Sequence, residues 1–231
     1  MSNPEISVLS AGAVQPGMVK IIDAFQRTTA QNVKITFATA PMILARIGDA
    51  NLPDVVIAPP SVLEEWSRAG KSILKDWVVV GRIGVGVVVR DGTPRPNIAT
   101  VEEFKHSLLN AESVVYNQAS TGIYLKKLFE RLEIGKQLEK KTTNYPDAAA
   151  VLSHVSKGKG NEIGFGATTV IIENESKGLK FVGPLPPEIQ NYTSYTATVV
   201  GLGSASGVGA QFVRYLTSPA AKKILTAAGI E

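Results

Sequence analysis

Short β-branched apolar runs alternate with amphipathic helical patterns along this chain, and that alternation constrains its fold more than any other feature. "EISVLS" (5 to 10) reads as a strand. The helical pattern that follows has Val14, Met18, Ile21, Ile22 and Phe25 on one face and Pro16 near its first turn. "VKITFA" (33 to 38) is a second strand, followed by the helical "PMILARIGDA". "DVVIA" (54 to 58) is a third, followed by "PSVLEEWSRAG". Repeated βαβ crossovers of this length imply a parallel sheet with helices on its faces, and ligands then bind beyond the carboxyl ends of the strands.

The rhythm changes at "WVVVGRIGVGVVVR" (77 to 90), which is long, punctuated by Gly81, Gly84 and Gly86, and best read as a strand passing from one lobe to another. A second α/β set follows. It comprises a helix at "VEEFKHSLL", the strand "SVVYN" (113 to 117), a helix carrying Leu125, Leu128, Phe129 and Leu132, a helix at "DAAAVLSHVS", a strand at "EIGFG", a short helix from about Thr168 and a strand at "KFVG". "YTSYTATVVGLG" (192 to 203) again has crossover length, and the helical tail packs back on the first lobe. The expected fold is α/β, two lobes, each a mainly parallel sheet flanked by helices, joined by two crossing hinge strands. Lobe I takes residues 1–82 and 197–231, and lobe II residues 83–196.

Between "SVVYN" and the next helix stands "QASTG", with Ser120 or Thr121 as the expected N-cap and Gly122 allowing close approach to the first turn. Such a helix start attracts anions; an ordinary self-serving cap is the plainer reading of the same residues.

Composition narrows the chemistry. With 231 residues, 44% hydrophobic and 19% charged, the chain can bury a sizeable core. No apolar run reaches membrane-spanning length, and "MSNPEISVLS" lacks the regions of a secretory signal, so the chain is either cytoplasmic, if Met1 is native, or a mature periplasmic protein with a new start residue. The absence of cysteine excludes disulfides, thiolate nucleophiles and cysteine-bound metal. The net charge of +4 is spread over mixed Lys/Glu faces without aromatic interleaving, which argues against nucleic acid and mildly favours an anionic small ligand. His106 and His154 are far apart in helical patterns and read as surface or satisfied imidazoles. "GRIGVG" and "GLGSASG" do not fit a dinucleotide fingerprint in place or spacing, and no P-loop, G-x-S-x-G or H-E-x-x-H occurs.

Taken in order, "ISVLSAGA", "ITFATAPMILARIGDANLPDVVIAPP", "TGIYLKKLFERLEIG" and "FVRYLTSPAAKKILTAAGI" resemble the periplasmic molybdate-binding proteins of ABC importers, within the type II solute-binding proteins. The resemblance implies two lobes closing over an oxyanion, held by Ser hydroxyls and helix-start N–H groups, with no metal or cofactor. It places ligand loops at Ser10, Ala11, Gly12 and Ala13; at Thr39, Ala40 and Pro41; at Asn117, Ser120, Thr121, Gly122 and Tyr124; and at Gly166, Ala167 and Thr168. The pattern is broken where the family has Ser at Ala13, serines at Thr39, Ala40 and Pro41, and Tyr at Ala167. A cleft relined in this way, with Asn117 and Tyr124, Tyr192 or Tyr195 on its wall, suits a larger organic anion such as a carboxylate. A slip of a residue or two in the loops would instead restore a tetrahedral site.

Three functions follow from the resemblance. The first is capture of molybdate, tungstate or a carboxylate for an ABC permease, by a monomer closing about Gly84 and Val199. The second is an aconitate-isomerase-like enzyme, whose proton-transfer group would come from Tyr124, Tyr192, Tyr195 or Lys126. The third is a soluble anion sensor.

Overall fold

The computed structural model describes residues 5–49, 51–70, 77–200 and 206–231. The chain divides into two compact units, Met1–Arg82 with Ser194–Glu231, and Ile83–Thr193.

In the first unit, strand β1 (Ile6–Ala11) pairs in parallel with β2 (Val33–Ala38) and β3 (Val55–Ala58). β9 (Tyr192–Val199) runs antiparallel to β3. Helices α1 (Gln15–Thr29), α2 (Ala40–Ala45) and α3 (Pro60–Arg68) follow the three parallel strands in turn. Met18, Ile21, Ile22 and Phe25 are the buried face of α1, as their spacing predicts, while Val14 is buried in the short 3-10 turn that precedes it. Phe25 meets Phe212 and Tyr215 of α9 (Ser206–Tyr215) edge to face, and α10 (Pro219–Ala227) packs on α1. β1 and β3 are also cross-linked by side chain: Asp54 Oδ2 accepts from both the N–H and the hydroxyl of Ser7 at 2.7 Å.

In the second unit, β5 (Ser113–Asn117) lies parallel to β6 (Thr142–Tyr145) on one side and to β7 (Glu162–Ala167) on the other. β4 (Val78–Arg90) is antiparallel to β7 and to β8 (Leu179–Pro184). Side chains alternate between two cores. Val85, Val87, Val89, Val114, Tyr116, Ile163 and Phe165 pack on one face, with Phe104 and Phe129; Val88 and Val115 pack on the other, with Val151, Leu152 and Ile171. The helices are α4 (Val101–Asn110), α5 (Ser120–Arg131), α6 (Gly135–Leu138), α7 (Ala148–Lys157) and α8 (Thr168–Glu173).

The glycine-punctuated segment is one continuous strand, β4, of 13 residues. β6 and α6 had no sequence signal: "TTNY" is too short and too polar to stand out, and its place is fixed by pairing with β5. Residues 201–203 of the second crossing segment lie outside the described residues.

Candidate functional site

In the second unit the β5–β7 register pairs Val115 with Gly164, and continuing it sets Asn117 level with Gly166. The starts of α5 and α8 therefore lie beyond the same ends of two adjacent parallel strands. This is where a parallel sheet presents its ligand edge.

The turn into α5 differs from the expected cap. The N-cap is Ala119, with no side-chain hydrogen bond, and Ser120 is already the first helical residue. The reason lies in Asn117: its Oδ1 accepts from the Ala119 N–H at 3.0 Å and turns the chain a residue earlier. Gly122 is required because a Cβ there would stand 1.6 Å from the Asn117 carbonyl oxygen. The first i to i−4 bond of the helix is from Ile123 N–H to Ala119 at 3.0 Å. Ser120, Thr121 and Gly122 thus stand in the turn where helix geometry gives N–H groups no carbonyl partner, and no Ser, Thr, Asn or Asp side chain covers them from the N-cap. α8 begins in the same way, on Ala167 with no side-chain cap. Thr168 is half-buried and Thr169 is 2% exposed.

In the first unit Ala11 and Ala38 pair at the ends of β1 and β2, so the segments Gly12–Val14 and Thr39–Ala40 start side by side. Both lack a side-chain cap, on Ala11 and on Thr39. Pro41 has no N–H, so the first turn of α2 offers those of Ala40 and Met42, while Ile43 bonds Thr39. Ser10 is fully buried, and its hydroxyl donates to the Ala11 carbonyl at 3.3 Å.

The tyrosines separate. Tyr124 donates its hydroxyl to the Ile189 carbonyl at 2.6 Å and packs against the core of the second unit, so its proton has a structural use. Tyr195 is buried on β9 and Tyr192 is 43% exposed. Burial pushes the Tyr116 hydroxyl above its usual pKa, with Glu130 adding to the rise and a hydrogen bond from Asn144 opposing it. His106 pairs with the Asn110 amide and His154 with the Tyr145 hydroxyl, each at 2.8 Å. Arg46 and Lys126 are exposed. Among the described residues no cluster of three His, Asp or Glu side chains could hold a metal, and no helix is long and apolar enough to cross a membrane.

The sequence pattern of the bacterial extracellular solute-binding proteins matches residues 6–231. The chain belongs to that family. It is 27% identical to the aconitate isomerase of a Pseudomonas species over 234 aligned positions, covering 98% of this chain and 87% of the isomerase. The fold is shared with the periplasmic molybdate-binding protein of Azotobacter vinelandii, at TM-score 0.80, 16% identity and 98% coverage of both chains. It is also shared with the sulfate-binding protein SubI of Mycobacterium tuberculosis, at TM-score 0.78 and 19% identity, covering 99% of this chain and 86% of that one. The α/β, type II solute-binding architecture expected from the sequence is therefore the architecture found.

Proposed function

We propose that this solute-binding protein captures a small organic anion of the di- or tricarboxylate class at the uncapped start of α5 and hands it to an ABC-type permease outside the cytoplasm. The observation that carries the reading is the start of α5, where Asn117 and Gly122 shape a turn whose N–H groups no cap residue serves. Such groups, with the positive end of the helix dipole behind them, recognise an oxyanion without a fixed counter-charge. Neutral donors also let it go readily, whereas a buried bidentate Arg would hold it longer.

The carboxylate is preferred over a tetrahedral oxyanion because Ala13, Ala40 and Ala167 carry no hydroxyl and Pro41 no N–H. Each hydrogen bond to a charged group is worth about 1.5 to 3 kcal/mol, so removing two or three costs several orders of magnitude in affinity. The isomerase relative, aligned over nearly the whole chain, supports the same substrate class.

That relative also favours a second reading, isomerase activity on a small unsaturated carboxylate. Moving a proton between two carbons needs a base in reach of the bound ligand. The sequence candidates for that base are Tyr192, Tyr195, Lys126 and Tyr124, the last of which donates its hydroxyl to the Ile189 carbonyl.

A thermal-shift panel of molybdate, tungstate, sulfate, phosphate and di- and tricarboxylates tests the proposal, since a ligand of the native state alone stabilises by RT ln(1 + [L]/Kd). Stabilisation by carboxylates alone is expected. A rise with molybdate and tungstate only would refute the relined site. Proton NMR of trans-aconitate incubated with the protein separates binding from turnover.

A further inference from the structure

β4 leaves the first unit at Arg82 and enters the second at Ile83. On the first side, Arg82 is paired through its backbone with Glu231: its N–H donates to the Glu231 carbonyl at 2.7 Å, and the Glu231 N–H donates to the Arg82 carbonyl at 3.1 Å. The Arg82 guanidinium adds bonds to the Glu231 carboxylate at 3.2 and 3.3 Å. Gly81, at φ +152°, admits this approach; a Cβ there would lie 2.5 Å from Ile230 and 2.7 Å from the Glu231 carbonyl oxygen.

Three residues on, a side chain imitates a strand. The Gln190 amide accepts from the Val85 N–H and donates to the Val85 carbonyl, both at 3.0 Å, and its oxygen also accepts from the Asn191 N–H at 2.8 Å. Gly84 lies directly beneath: a Cβ on it would stand 3.2 Å from the Gln190 amide nitrogen and 3.3 Å from the Tyr192 ring.

We propose that these two clamps, Glu231 on Arg82 and Gln190 on Val85, confine the bending of β4 to Ile83 and Gly84, making Gln190 and Glu231 positioning residues for closure. The inference rests on the reading that the protein works by closing over its ligand. Each clamp binds the strand to its own unit, so bending at Arg82 breaks two backbone hydrogen bonds and bending at Val85 breaks the two to Gln190, with a third from the Leu185 N–H to the Val85 carbonyl at 3.2 Å. Bending between them breaks neither clamp.

The chain has no cysteine, so a single pair of spin labels can be placed at Lys20→Cys and Lys127→Cys, exposed positions on α1 and α5. Electron–electron dipolar distances are then recorded without ligand and with trans-aconitate. In the ligand-free parent a single narrow distribution is expected, and Gln190→Leu and Glu231→Pro should each lose it for a broad one. Arg82→Ala removes the guanidinium but leaves the backbone pair, and should stay narrow. Unchanged widths in both clamp variants overturn the proposal, as does a broad distribution in Arg82→Ala alone. If Glu231→Pro does not fold, Gln190→Leu alone decides. The ligand-free widths test the clamps; a distribution that trans-aconitate leaves unmoved would count against the closure reading instead.

Discussion

Helices in this protein begin in two ways. At α4, Thr100 accepts from the Glu103 N–H at 3.2 Å while Glu103 reaches back to the Thr100 N–H at 3.1 Å, a complete capping box. Asp147 covers the Ala150 N–H at the start of α7, and Ser218 covers that of Ala221 at the start of α10. At α2, α5 and α8 the N-caps are Thr39, Ala119 and Ala167, and none makes a side-chain capping bond. A good cap contributes about 1 kcal/mol, so leaving a helix start without one is a stability cost that a ligand bound there can offset. The three starts that the family resemblance assigns to the ligand all forgo side-chain caps, as do α1, α3 and α6, whose N-caps are Val14, Pro59 and Ile134.

The largest expected effect is at Gly122, the third helical residue of α5. The equivalent residue of α7 is Ala150, so a Cβ is harmless at a capped start. Gly122→Ala drives a methyl group into the Asn117 carbonyl and should destabilise by about 3 kcal/mol or more, at or beyond the usual overpacking range, as read from the urea midpoint.

Converting one class of start into the other should come next. Ala119 has extended backbone angles (φ −85°, ψ −166°) suited to an N-cap. Ala119→Asp should raise stability by about 0.5 to 1 kcal/mol while abolishing carboxylate binding, because its own carboxylate takes the N–H groups and repels the ligand. Calorimetry of unfolding and of binding should therefore move in opposite directions. Retained affinity would show that α5 is an ordinary helix start.

Ser120→Pro is a milder probe. Proline suits the first helical position and deletes a single N–H, so affinity should fall about 10- to 100-fold with little change in Tm. Thr100→Ala at the capped start should do the reverse, costing about 1 kcal/mol of stability and leaving affinity untouched.

The smallest effect concerns Tyr116, beneath the α5 turn. Its pKa is raised in the folded state, so its contribution is complete below the unfolded value of about 10 and is lost as pH rises through the higher folded value. Tyr116→Phe should therefore flatten the alkaline fall of stability above about pH 10.

Much of this architecture was legible in the sequence because its strands are β-branched and its helices periodic. "VKITFA" is β2 from end to end, and the α1 face was read residue by residue. Polar "TTNY" was not legible, since β6 exists through pairing with β5 rather than through its own composition. The segments proposed to hold the ligand rest on the family resemblance, and their local chemistry was only half readable. "STG" looked like a cap because Ser and Thr usually are caps. The competing signal was Asn117, two residues before Ala119, whose side chain sets the turn and leaves Ser120 inside the helix. Tyr124 looked available for ligand or proton transfer, and only the fold reveals Ile189, 65 positions away, as the partner of its hydroxyl.

A ¹⁵N–¹H NMR titration of the protein with trans-aconitate reads the N–H groups at the start of α5 directly. Saturable shifts are expected at the Ser120, Thr121 and Gly122 amides, with those of Val101–Glu103 and Ala148–Ala150 unmoved. Saturable shifts that bypass residues 120–122, or fall equally on the capped starts, would contradict capture at the start of α5.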